Sequence, residues 1–230
     1  MALTYWERVA ESRWGRYITA EEERAIVLAG DQVGAPGRAL DIGCDGGRWA
    51  RVLERRGWKV TCTDVDDDAI RLCTEQLPQV QCIRVNPSDT RLPLADASVS
   101  LALCIEVIAV VSSEWFAEEA ARVLAPGGML VVTAWNRSSP RGLAACAVSR
   151  LRDRKPHPFY GHSYHALRRK LRAAGFEICS EQGLCWFPFS RASDSRLIPV
   201  AAKLEKATGL DRLALLSPWV LVTARKGNRT

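Results

Sequence analysis

The chain has 230 residues, of which 47% are hydrophobic and 25% charged, a composition that excludes extended disorder and suggests one globular domain. Its net charge of +6 is unevenly spread: residues 1–140 carry 15 basic and 20 acidic side chains, and residues 141–230 carry 17 and 6. No run approaches the roughly 18 uninterrupted apolar residues of a membrane span, and the start, Met1-Ala-Leu-Thr-Tyr-Trp-Glu-Arg8, has no apolar signal core.

The first 35 residues are expected to form a helical lid bearing Tyr5, Trp6, Trp14 and Tyr17. Arg38-Ala-Leu-Asp-Ile-Gly-Cys44 then reads as a short buried strand, followed by glycines and a helix over Arg48 to Arg56 that Gly57 ends. Lys59-Val-Thr-Cys-Thr-Asp64 is a second strand, and Asp66 to Asp68 cap a helix running to Pro78. Gln81 to Val85 is a third strand and Val99 to Ile105 a fourth. Glu114 to Leu124 forms a helix stopped by Pro126-Gly127-Gly128, ahead of a fifth strand from Met129 to Ala134. Strands separated by helical crossovers must be mostly parallel, so the expected fold is α/β: a doubly wound, mostly parallel sheet covered on both faces. Phe176 to Cys179 and Trp219 to Ala224 break this pattern and predict an antiparallel edge pair, with an amphipathic insertion over Pro199 to Leu216. The expected organisation is a single domain over 1–230: the lid at 1–35, a cofactor-binding core at 36–136, substrate-side insertions at 137–217, and the last strand and tail at 218–230.

Ligands of open α/β sheets bind beyond the carboxyl ends of the strands, where strand order reverses. Asp41, Asp64 and Asp89 fall at such ends, spaced by one strand-helix unit each, and Gly43, Gly46 and Gly47 surround the first. An acid ending the second strand is placed to accept from two ribose hydroxyls, although Asp64 could also be a plain helix cap. The dinucleotide pattern Gly-x-Gly-x-x-Gly fails, because from Gly43 the next two positions are Asp45 and Arg48. A cofactor with an amino group and a sulfonium but no phosphate tolerates Asp41 and Asp45 together, which favours S-adenosylmethionine.

Leu40-Asp-Ile-Gly-Cys-Asp-Gly-Gly-Arg-Trp49 resembles the first motif of the class I S-adenosylmethionine-dependent methyltransferases. Ser88-Asp-Thr-Arg-Leu-Pro93 with Ala95-Asp-Ala-Ser-Val-Ser100 resembles that family's segment after strand three. Arg122-Val-Leu-Ala-Pro-Gly-Gly-Met-Leu130 is similar to its loop into strand five, and Leu171-Arg-Ala-Ala-Gly-Phe176 to its last helix and strand six. The likeness is greatest to the small-molecule and quinone-type branch. It implies a seven-stranded, Rossmann-like methyltransferase fold with an antiparallel last strand. It also implies that Asp41 and Gly43 lie beside the methionine end, Asp64 holds the ribose, Val65 packs on the adenine, Asp89 and Thr90 face the adenine edge, and Cys104 and Ile105 line the floor near the sulfonium. The sequence departs from the family at Asp45, where a glycine is usual, and at Ala109-Val110, where relatives often carry Glu-His. Asp45 is placed to narrow the site or to contact the cofactor's amino group.

The histidines at 157, 162 and 165 share one short span, but no cysteine or acid completes a ligand set nearby, so no metal is expected. His162 and Tyr160, just ahead of a helix at 163–174, are the candidates for substrate contact or proton acceptance. Arg16 or Tyr17 of the lid is placed to close over the cofactor's carboxylate. Arg150, Arg152, Arg154 and Lys155, then Arg168, Arg169, Lys170 and Arg172, form basic runs that suit a solvated helix face, or otherwise an anionic or carrier-bound small-molecule substrate or an anionic membrane surface. Nucleic acid is not expected, because no base-stacking module is present. The expected activity is in-line methyl transfer to an oxygen or carbon nucleophile of a small molecule; the alternatives are an RNA or protein methyltransferase docking through the basic third, or a cofactor-binding, inactive homologue. Eight cysteines, at 44, 62, 73, 82, 104, 146, 179 and 185, include no Cys-x-x-Cys pair and fit a reduced, cytoplasmic setting better than a disulfide framework.

Overall fold

The computed structural model describes residues 4–153, 155 and 157–227; Arg154 of the basic run and the ends of the lid and tail segments lie outside the described residues. Helix α1 (Tyr5–Glu11) opens on a capping box between Thr4 and Glu7. Ser12 caps the long α2 (Arg13–Val33) by accepting from the Gly15 N–H, and the turn is tight: a Cβ on Gly15 would lie 1.8 Å from the Val9 carbonyl oxygen.

The core alternates as expected: β1 (Arg38–Ile42), α3 (Arg48–Arg55), β2 (Lys59–Asp64), α4 (Asp67–Gln76), β3 (Gln81–Arg84) and β4 (Val99–Cys104). Asp66 caps α4 through its carboxylate. The helix expected over 114–124 is present as α6 (Phe116–Val123), and a short α5 (Ile108–Val111) precedes it. Strand β5 (Leu124–Trp135) begins earlier than expected, because Pro126-Gly127-Gly128 lies in an irregularity of its pairing with β4 rather than in a loop. Helices α7 (Pro140–Asp153) and α8 (Tyr164–Ala173), strand β6 (Phe176–Leu184), α9 (Ile198–Ala207) and strand β7 (Trp219–Lys226) complete the order.

The seven strands run in the order β3-β2-β1-β4-β5-β7-β6. The pairs β2–β3, β1–β2, β1–β4 and β4–β5 are parallel, whereas β7 is antiparallel to both β5 and β6. The chain winds outward from β1 in one direction and from β4 in the other, so strand order reverses between them and leaves a crevice at their carboxyl ends.

Alternate strand residues feed two cores. Ala39, Cys62, Leu101, Leu103, Met129 and Val131 pack under α2, α3 and α4, with Ile18, Ile26, Trp49 and Leu53. Leu40, Ala102, Cys104, Leu130 and Val132 face α6 and α8, with Phe116, Ala120, Tyr164 and Leu171. Burial of each large aliphatic side chain stabilises by about 1.5–3 kcal/mol, which holds the carboxyl edge of the sheet rigid. Part of the basic segment is neutralised: Lys170 pairs with Glu114 at 2.9 Å and Arg168 with Glu181 at 2.9 Å. No helix among the described residues is long and apolar enough to cross a membrane.

Candidate functional site

The crevice is built by the turn after β1. Gly43 has φ 71°, Asp45 φ 49° and Gly47 φ 81°, so three residues in five adopt left-handed backbone. The Gly43 and Cys44 N–H groups donate to the Thr63 carbonyl at 2.7 and 3.1 Å, tying the turn to β2. Only glycine fits at 43, because a Cβ there would meet Val107 Cγ2 at 2.4 Å.

Asp64, the last residue of β2, is the hub. Its Oδ1 accepts from the Val65 and Asp66 N–H groups at 2.7 and 3.0 Å, and its Oδ2 from the Asp45 N–H at 2.9 Å. These bonds fix the carboxylate plane and leave lone pairs facing two cavities that meet at Gly43, Asp64 and Val107. One cavity, of about 350 Å³, is mostly apolar and is lined by Val65, Asp89, Leu92, Val110 and Trp115. The other, of about 230 Å³, mixes charged and apolar groups and is lined by Trp6, Asp45, Arg48, Ile105 and Glu106. An apolar slot and a charged slot joined at a carboxylate suit a nucleoside that carries an amino-acid end.

Of the residues singled out from sequence, the structure gathers Gly43, Asp45, Asp64, Val65, Asp89 and Ile105 on these walls. The others stand apart. Asp41 is 1% exposed beneath the turn and lines neither cavity; burial pushes its carboxyl up to about 7. Cys104 is buried in the second core, and Thr90 is exposed outside the walls. Tyr17 donates to Glu205 Oε2 at 2.6 Å, and the exposed Arg16 guanidinium donates to the Glu11 carbonyl. Burial pushes the Asp45 carboxyl up from its ordinary range. Tyr160 lies edge-on to Trp135 at the end of β5, its hydroxyl buried without a partner among the described residues. His162 lines a small separate crevice with Thr133, Trp135 and Ser163.

Two features were not legible in the sequence. Glu106, two residues beyond β4 with φ 65°, stands near enough to Glu22 of α2 for each carboxyl to act on the other. Glu22 Oε1 and both Glu106 oxygens are buried without a hydrogen-bond partner among the described residues. Desolvation pushes both carboxyls up and their like charges oppose joint ionisation, so the pair retains a proton where ordinary carboxylates have lost theirs. Arg48 stands 3.4 Å from Glu22 Oε2 and is the guanidinium on the charged cavity. The second feature is Arg191, whose guanidinium lies over Trp6, Trp135 and Phe159 at 5.1, 4.6 and 4.2 Å, with Nη2 buried and unpartnered among the described residues. The one local signal was a lone acid, Glu106, interrupting the apolar run from Val99 to Val111.

A family model described as a methyltransferase domain matches residues 40–132. A probable S-adenosylmethionine-dependent methyltransferase of Mycobacterium tuberculosis is 31% identical over 160 residues, 68% of this chain and 55% of the relative. A ubiquinone biosynthesis O-methyltransferase of Caulobacter is 31% identical over 118 residues, 50% of this chain and 45% of the relative. The chain thus spans about half the length of these curated relatives. Among solved structures, an S-adenosylmethionine-dependent methyltransferase from Mesorhizobium loti superposes with a TM-score of 0.61 at 20% identity, covering 91% of this chain and 100% of that one.

Proposed function

We propose that the chain is a class I S-adenosylmethionine-dependent methyltransferase that uses S-adenosylmethionine to methylate an oxygen or carbon nucleophile of a small molecule by in-line transfer, a reading supported by the methyltransferase-domain match and the similar relatives. The observation that carries the reading is the pair of cavities meeting at Gly43, Asp64 and Val107. Asp64 would accept from the ribose hydroxyls, with Val65 and Asp89 on the adenine side. Ile105 and Glu106 would lie at the sulfonium end, and Arg48 is the cation placed for the cofactor's carboxylate. When bound, the cofactor supplies an electrophilic methyl carbon on a charged sulfur.

The chain's own contribution is then positioning, which can supply roughly 7–11 kcal/mol of such a barrier. A hydroxyl nucleophile must also lose a proton. Ala109-Val110 offers no acceptor, and Glu106, which lines the charged cavity, would be the carboxyl to take one. Arg191 lies over Trp6, which lines the charged cavity, and its partly buried guanidinium suits an anionic substrate. Small-molecule chemistry is supported by the ubiquinone O-methyltransferase relative. Docking on RNA or protein through the basic third is disfavoured by the ion pairs that occupy Arg168 and Lys170. A cytoplasmic location belongs to the same reading.

Calorimetry with S-adenosylhomocysteine, followed by turnover with a panel of phenols and carboxylic acids, tests the reading. Saturable binding with methylation of a panel member is expected, and absence of binding overturns it. Binding without turnover favours the inactive homologue, and a salt-sensitive gel shift favours RNA.

A further inference from the structure

Four of the eight cysteines converge in the layer beneath the turn after β1. Asp41, Cys62 and Cys82 are register partners across β1, β2 and β3, so their side chains share one face of the sheet. Cys73 of α4 covers that face and Cys44 closes it from the turn. The sulfurs of Cys44, Cys62 and Cys73 all lie within 4.8 Å of one another, and Cys82 Sγ is 3.2 Å from Cys73 Sγ. A Cβ on Gly47 would meet Cys73 Sγ at 2.8 Å, so the turn closes directly over the cluster.

Zn–S bonds of about 2.3 Å set the edge of a tetrahedral tetrathiolate at roughly 3.8 Å. The 3.2 Å approach of Cys82 to Cys73 and the gathering of Cys44, Cys62 and Cys73 within 4.8 Å lie close to that edge, and side-chain adjustments that draw Cys82 toward Cys44 and Cys62 would complete it. Buried core cysteines ordinarily pack against aliphatic groups as small hydrophobes. Here sulfur meets sulfur from four separate elements. Beside them the buried Asp41 leaves Oδ2 without a partner among the described residues, a second sign of an unfilled polar position in this layer.

We propose that Cys44, Cys62, Cys73 and Cys82 bind one zinc ion as a closed structural site. Zn²⁺ displaces four thiol protons, giving a cluster of net charge −2 and an affinity that rises with pH. Arg51 of α3 acts on Cys73 and offsets part of that charge. No position remains open on the metal, so its role is to hold the turn, β2, β3 and α4 together beneath the crevice, independently of the methyl-transfer reading. Histidine spacing, on which no metal is expected, does not describe sulfurs that meet only in three dimensions.

The test uses the full chain. Metal analysis of protein purified without chelator should give about one zinc per chain. Cobalt substitution should produce the visible bands and sulfur-to-metal charge transfer of a tetrahedral tetrathiolate. Cys73→Ser and Cys82→Ser should weaken binding by more than about 100-fold, whereas Cys179→Ser, exposed on β6, should leave it unchanged. Should Cys73→Ser fail to fold, the partly exposed Cys82 decides. Less than about 0.1 equivalent of zinc with no cobalt spectrum overturns the proposal. An intrachain disulfide among the four, or full binding by Cys82→Ser, does so equally.

Discussion

Asp64→Ala is the most informative perturbation of the crevice. In the folded chain this carboxylate accepts from the Asp45, Val65 and Asp66 N–H groups and leaves its remaining lone pairs open to the cavity junction. Two ribose hydroxyls bonding to an ionised acceptor are worth about 1.5–3 kcal/mol each, or about 3–6 kcal/mol together. That corresponds to roughly a 100- to 10,000-fold loss of affinity for S-adenosylhomocysteine. Isothermal calorimetry measures it directly, and thermal melting reports how far the turn itself loosens. A cycle with the 2′-deoxy analogue separates the two effects. If the carboxylate acts on the ribose, removing the hydroxyl weakens wild type substantially and Asp64→Ala hardly at all. Binding of the parent ligand by Asp64→Ala within about threefold of wild type would refute the assignment.

Three further outcomes follow from the same geometry. Gly43→Ala forces a side chain into left-handed backbone, at about 1–2 kcal/mol, and into Val107 at 2.4 Å. It should lower the melting temperature by several degrees, with partial recovery in the double variant with Val107→Ala. Asp89→Ala, which removes one wall acceptor and the bond from the Asn86 N–H, should weaken S-adenosylhomocysteine by about tenfold; unchanged affinity would take Asp89 out of the site. The raised Glu22 and Glu106 carboxyls bind a proton in the native chain that the unfolded chain releases. Their stabilisation is therefore complete below the ordinary glutamate range and is lost as pH rises through the elevated one. Glu106→Gln stays neutral throughout, so its urea stability relative to wild type should grow by more than about 1 kcal/mol between about pH 5 and about pH 8. A pH-independent difference would show that the pair does not share a proton.

The alternation of short apolar strands with capped helices was readable because both signals are local. The continuous apolar run of Val99–Cys104, buried at every position but Ser100, and the Asp66 cap of α4 depend only on neighbouring residues. Element limits were less legible where pairing decides them. Strand β5 runs back to Leu124 because an irregular segment still pairs with β4, and β6 extends to Leu184 because β7 offers partners along that whole length. Periodicity carries no trace of either.

The site divides along the same line. Acids at strand ends could be placed from sequence, since the carboxyl edge of a parallel sheet follows from the order of elements. Whether each one faces the crevice depends on the surrounding packing. Asp64 stands at the cavity junction, whereas Asp41, three residues before the apex of the turn, is covered by it.

The sequence by itself determined the layered α/β plan and the edge at which a ligand would sit, because hydrophobic period and capping chemistry act within a few residues. Tertiary structure alone decided the Glu22–Glu106 pair, the aromatic enclosure of Arg191 and the meeting of four thiols. Each of these is a contact between distant segments, and its chemistry exists only after the intervening chain has been packed out of water.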